Sequence, residues 1–158
     1  MISTPTLVGR PGAVRIEASR TFPVDRATAF DYITNPTNWP SFWPDLVGIP
    51  DLERARWQVP GDTVRLQMRL AGRLTELHMT LDRLSRPALV NYHTVQRGIP
   101  DATHERHFEP AAGGFRFRLV VCFAPRTRLA GLLDRTVVRY AAGRALRRTL
   151  DNLARVLT

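Results

Sequence analysis

HFEPAAGGFRFRLVVCFAP, residues 107–125, decides the reading of this chain. Phe115, Phe117, Leu119, Val121 and Phe123 alternate with Arg116, Arg118, Val120 and Cys122, the period-two pattern of a strand with one face in a core. Ala112-Gly113-Gly114 supplies a tight turn ahead of it, and Pro125 closes it. No proline follows Pro125. From about Arg128 to Leu157, Leu129, Leu132, Leu133, Val137 and Tyr140, then Leu146, Leu150, Leu153 and Leu157, recur at helical spacing. That spacing predicts one amphipathic helix of roughly eight turns, with Arg135, Arg147, Arg148 and Arg155 mostly outward. Gly143 inside it costs about 1 kcal/mol relative to alanine unless close packing requires it.

Upstream, VRIEASRT places Val14, Ile16 and Ala18 on one face of a strand that Pro23 stops. Asp25 caps a short helix, RATAFDYIT, which Asn35-Pro36 ends. In NPTNWPSFWPDLVGIP the aromatics and prolines leave room for a turn or two of helix and a short extended piece near Leu46–Ile49. Strand-like runs follow. In the first, Val64, Leu66, Met68 and Leu70 alternate with polar residues; in the second, Leu77, Met79 and Leu81 do so, and the Ala71-Gly72 step between them suits a hairpin. ALVNYHTVQ and ATHERHFEP come next. A run of antiparallel strands with helices on one face is the α+β arrangement, and only the terminal helix is large enough to cover so many strands.

A chain of 158 residues with 44% hydrophobic and 23% charged side chains has the size and composition of one globular domain, expected over 13–158 behind a flexible leader at 1–12. It lacks an apolar run of spanning length and a signal-peptide pattern, so a cytoplasmic location is expected. The lone Cys122 sits in LVVCF, where a thiol is a small buried hydrophobe. The net charge of +9 raises nucleic-acid binding as a class, but all 23 basic residues are arginine and are spread along the chain. They form no basic block, and nucleic acid is not the expected partner. The four histidines and one cysteine lack a zinc spacing, and no phosphate-binding glycine pattern occurs, so neither metal nor cofactor is expected.

The opening VRIEASRTFPVDRATAFDYITNPTNWPSFWP, with Pro23, Phe30, Tyr32, Trp39, Trp43 and Pro44, and the stretch 107–125 running into the terminal helix resemble the START-related helix-grip superfamily (SRPBCC). The nearest likeness is to its bacterial polyketide cyclase/dehydrase and lipid-transport branch. The resemblance implies a curved seven-stranded antiparallel sheet gripping the last helix around a cavity for a hydrophobic ligand, in a monomer or homodimer. It implies a polyketide cyclase- or dehydratase-like activity without a cofactor, or a non-catalytic lipid or quinone carrier, or a protein- or ribosome-binding module.

Within that frame, alternation puts Phe108 inward, and with it Arg106 and His104. Val90, Tyr92 and Thr94 form the expected inner face of their strand, with the face of Leu89, Asn91, His93 and Val95 as the rival. Arg106, a fixed cation for a carbonyl or enolate oxygen, and His104 or Tyr92, for proton transfer, are the candidate catalytic residues. Tyr140, Trp43, Met68, Met79, Phe108 and Phe117 are the candidate ligand-binding residues. The bland alternative pairs Arg106 with Glu105, Glu109 or Asp101 and leaves His104 at an exposed strand end. Trp39, Phe42 and Trp43 read first as a plug between the short helices and the sheet.

Overall fold

The computed structural model describes residues 12–158, apart from Ala71. The leader expected over 1–12 therefore lies outside the described residues except for Gly12. Seven strands form one antiparallel sheet in the order β1-β7-β6-β5-β4-β3-β2: β1 Val14–Phe22, β2 Leu46–Gly48, β3 Thr63–Leu70, β4 Arg73–Ser85, β5 Leu89–Val95, β6 Ala102–Ala111 and β7 Gly114–Phe123. The β3–β4 hairpin pairs Leu70 with Arg73, and Gly72 takes the left-handed φ of 76° that its turn requires. Between β1 and β2 lie helix α1, Arg26–Thr34, and the single turn α2, Trp39–Phe42. The Asp25 side chain caps α1 by accepting from the Thr28 backbone N–H at 2.8 Å.

The chain ends in a helix that starts as α3, Arg128–Leu133, passes through a π turn, Asp134–Val138, and continues as α4, Arg139–Val156. Its C-terminal half lies on the sheet, where Leu150 and Leu153 join Phe22, Phe30, Trp39 and the inward residues of β3–β7 in one core. The continuous helix expected from the sequence is present, but its apolar phase is not single. Tyr140 and Leu146 are six residues apart, about 240° around a helix, so they cannot share a face. Leu146, Leu150 and Leu153 pack inward, whereas Leu129, Leu132, Leu133, Val137 and Tyr140 face solvent.

Gly143 is buried, yet a Cβ added there would meet Ile16 Cγ2 at 3.7 Å and Arg147 Nη1 at 3.6 Å, ordinary contact distances. Close packing therefore does not require it. Gly143→Ala is expected to stabilise the fold by about 0.5–1 kcal/mol, because alanine restricts the unfolded chain and fits a helix. A lowered denaturation midpoint would show that close packing against Ile16 does require the glycine.

Candidate functional site

The site is built on two neighbouring cross-strand rows of the inner face. One row runs Tyr92 (β5), His104 (β6), Val121 (β7); the next runs Val90, Arg106, Leu119. Val90, Tyr92 and Thr94 are buried, so this is the inner face of β5, as the alternation indicated, and the rival face points outward. Above the rows pass Ala142, Ala145, Leu146 and Thr149 of α4, and Trp43 closes the side next to α2. Together they enclose a partly open cavity of about 130 Å³.

Arg106 is 5% exposed. Its Nη2 donates to the Tyr92 hydroxyl at 2.9 Å, and its guanidinium carbon stands 4.9 Å from the Tyr92 ring centroid and 5.1 Å from that of Trp43. No carboxylate pairs with it among the described residues: Glu105 is bound to His107, Glu109 to Arg118. Its Nε is shut away from solvent without a protein partner. A guanidinium holds its charge inside proteins, so two aromatic faces and one phenol are its whole compensation. A buried cation left in that state favours any oxyanion brought to it.

His104 stacks on Tyr92 with centroids 4.5 Å apart and planes 5° from parallel, and its Nε2 lies 3.0 Å from Thr94 Oγ1. By surface area it is only partly buried, but the ring is enclosed, and burial, then the charges of Arg106 and His93, hold its pKa at about 3. It is therefore neutral at ordinary pH, contrary to the expectation of a proton carrier poised near neutrality. Burial also pushes the Tyr92 phenol above its usual pKa, against the opposing pull of Arg106.

The depressed histidine has a stability signature. The unfolded chain binds the His104 proton below about pH 6.5 and the folded chain does not until about 3, so stability falls as pH drops from 6.5. The carboxylates with depressed values, such as Asp134 and Glu109, act only below their ordinary 3.8 and 4.5. Between pH 6.5 and 4.5, His104→Phe is expected to flatten the pH dependence of the denaturation midpoint. An unchanged slope would mean that His104 protonates freely in the folded state.

Of the residues singled out from the sequence, Arg106, His104, Tyr92 and Trp43 come together at the cavity. Met68, Met79, Phe108 and Phe117 face the same way but do not line it. They are packed solid in the core beside it, Phe108 against Phe30 and Phe117 at 4.8 and 4.7 Å between ring centroids. Tyr140 is 66% exposed and belongs to the outer face of the helix, which corrects the expectation that it looks into the cavity. Leu119, Val121, Ala142, Ala145 and Thr149 also line the cavity, beyond the residues that the sequence singles out. The signal for the helix residues was their smallness: alanines facing a sheet leave space. The bland pairing of Arg106 with a neighbouring acid does not occur.

Trp39 is fully buried, donates from Nε1 to the Ile33 carbonyl at 2.9 Å, and meets Trp43 and Trp57 edge to face. Trp39 and Phe42 are the plug; Trp43 alone reaches the cavity. The outward histidines contact carboxylates on the other side of the sheet, His78 with Glu76, His93 with Asp82 and His107 with Glu105. Cys122 is buried, its thiol pKa raised by that burial. Among the described residues, no group of three or more His, Cys, Asp or Glu is placed to hold a metal, and no helix is long and apolar enough to cross a membrane.

The fold recurs in solved structures at low identity. TTHA0849 from Thermus thermophilus matches with a TM-score of 0.73 at 12% identity, over 90% of this chain and 95% of that one. SA2116 from Staphylococcus aureus, a protein of unknown function, gives 0.70 at 13% over 92% and 93%. CalU16 from Micromonospora echinospora gives 0.68 at 14% over 92% and 77%. No curated protein sequence matches the chain. The family model described as polyketide cyclase / dehydrase and lipid transport matches residues 13–158, the whole of the sheet-and-helix unit described above. This chain, an SRPBCC-type helix-grip protein, belongs to that family.

Proposed function

We propose that the protein binds a small, largely apolar molecule carrying one anionic or enolisable oxygen, with that oxygen held by Arg106. The observation that carries this reading is the buried guanidinium of Arg106, which lines an apolar cavity without a carboxylate partner. Size narrows the ligand. A dry cavity of about 150 Å³ accepts a benzene ring, so the 130 Å³ here suits one ring or a short branched chain. A multi-ring polyketide or a phospholipid needs the helix to move away from the sheet.

The same residues support a cyclase- or dehydratase-like reading, favoured by the Arg106–Tyr92 hydrogen bond at 2.9 Å. A substrate that enters as its enolate would be held through its oxygen by Arg106, the Tyr92 phenol would give its proton to the enolate carbon, and the phenolate would be reprotonated by water. Holding a flexible chain bent inside so small a space supplies proximity as well. With His104 neutral, such chemistry relies on Tyr92 and on the substrate's own acidity.

The test is native mass spectrometry of the purified protein, followed by denaturing release and identification of what it carried. A carboxylate, phenol or β-dicarbonyl compound of about one ring's size supports the proposal. Release of a phospholipid or quinone would replace it with the carrier reading. An empty protein that gains no thermal stability from any small organic acid would overturn both.

A further inference from the structure

The first half of the terminal helix turns an apolar stripe outward: Leu129, Leu132, Leu133, Val137 and Tyr140 are between 48% and 72% exposed. This orientation is locked from the other side. Asp134, fully buried, accepts from the Arg126 backbone N–H and from Arg126 Nη2, both at 2.7 Å, while Arg126 Nη1 donates to the Gly98 carbonyl. A Cβ on Gly131 would fall 2.1 Å from the Arg126 carbonyl oxygen, so that face must stay against the segment that leads from β7 into the helix. The leucines cannot roll inward without breaking these contacts.

Charge surrounds the stripe. Residues 126–148 hold seven arginines and one acid, Asp134, which Arg126 neutralises. Arg128, Arg135, Arg139 and Arg144 are exposed and have no acidic partner among the described residues. Arg144 and Arg147 continue the line of Tyr140 at i+4 and i+7.

We propose that this stripe is a docking face for the surface of an anionic lipid bilayer, with the leucines entering the acyl boundary and the arginines on the phosphates. A basic helix with an aliphatic edge fits that interface because it offers both chemistries within a few ångströms. Nucleic acid offers phosphates but no hydrocarbon for leucine. A second copy offers leucine but brings two sets of arginines face to face. This face lies apart from the cavity, whatever the cavity holds.

The full chain is floated with vesicles of phosphatidylcholine containing roughly 30% phosphatidylglycerol, and with phosphatidylcholine alone. Retention on the anionic vesicles only, weakening as salt rises, is expected. L132S/L133S and R135Q/R139Q are each expected to lower retention by about tenfold. These side chains are exposed, so the melting temperature of each variant is expected to stay that of the wild type, which separates lost docking from lost folding. No retention of the wild type on anionic vesicles overturns the proposal, as does full retention of L132S/L133S. A wild-type dimer that L132S/L133S converts to monomer in sedimentation velocity overturns it too, and assigns the stripe to a second copy.

Discussion

Arg106→Met is expected to weaken binding of a cavity carboxylate such as benzoate by at least about thirtyfold while leaving the melting temperature unchanged or raised. Two opposite effects of one buried charge produce this pattern. Removing the partner of a buried anion costs about 2–5 kcal/mol, chiefly because the other charge is left stranded. In the empty protein the stranded charge is Arg106 itself, 5% exposed and compensated by one phenol and two rings. Methionine is of similar length, keeps the contacts with Trp43 and Tyr92, and removes the cost of keeping a cation out of water. Titration calorimetry and thermal unfolding of the same samples read both halves. Unchanged affinity with a large fall in melting temperature would make Arg106 a structural residue and the anion site illusory.

Trp39→Ala is expected to cost about 3–5 kcal/mol of folding stability, measured by denaturant unfolding. The residue is fully buried, its indole N–H is satisfied by the Ile33 carbonyl, and its ring touches both Trp43 and Trp57. Alanine leaves a void that a plug between α1, α2 and the sheet cannot close, and it orphans the Ile33 carbonyl. Because Trp43 is the cavity wall nearest the plug, ligand affinity should fall as well, through loosening rather than through lost contact. A cost under about 1 kcal/mol would mean that the short helices collapse onto the sheet without it.

Alternation carried much of this structure. The alternation of residues 107–125 gave β7 and its inner face, and the single bulky Phe108 was enough to turn Arg106 and His104 inward. It gives a face, however, and not a depth. Met68, Met79 and Phe117 point toward the helix like Leu119 and Val121, but whether space remains above a side chain depends on what the opposing helix presents there. Over the cavity it presents Ala142 and Ala145; elsewhere Leu150 and Leu153 fill the gap. Tyr140 faces outward because the apolar positions of the terminal helix form two stripes of opposite facing, which hydrophobic spacing alone joins into one. The switch between them is set by Asp134 and Gly131, a salt bridge and a close backbone approach that hydrophobic spacing does not record. The pKa of His104 was equally hidden, since it reflects enclosure and the charge of Arg106 two residues along the strand.

In this protein Arg106 is expected to receive the charged oxygen of an apolar ligand. The test follows the Arg106 guanidinium N–H resonances in NMR spectra while benzoate, and separately benzamide, is titrated in. A large downfield shift of a cavity-facing Nη–H is expected with benzoate, as it gains a charged acceptor, and little change with benzamide. Equal responses to the acid and the amide, or a resonance that moves with neither, would contradict it.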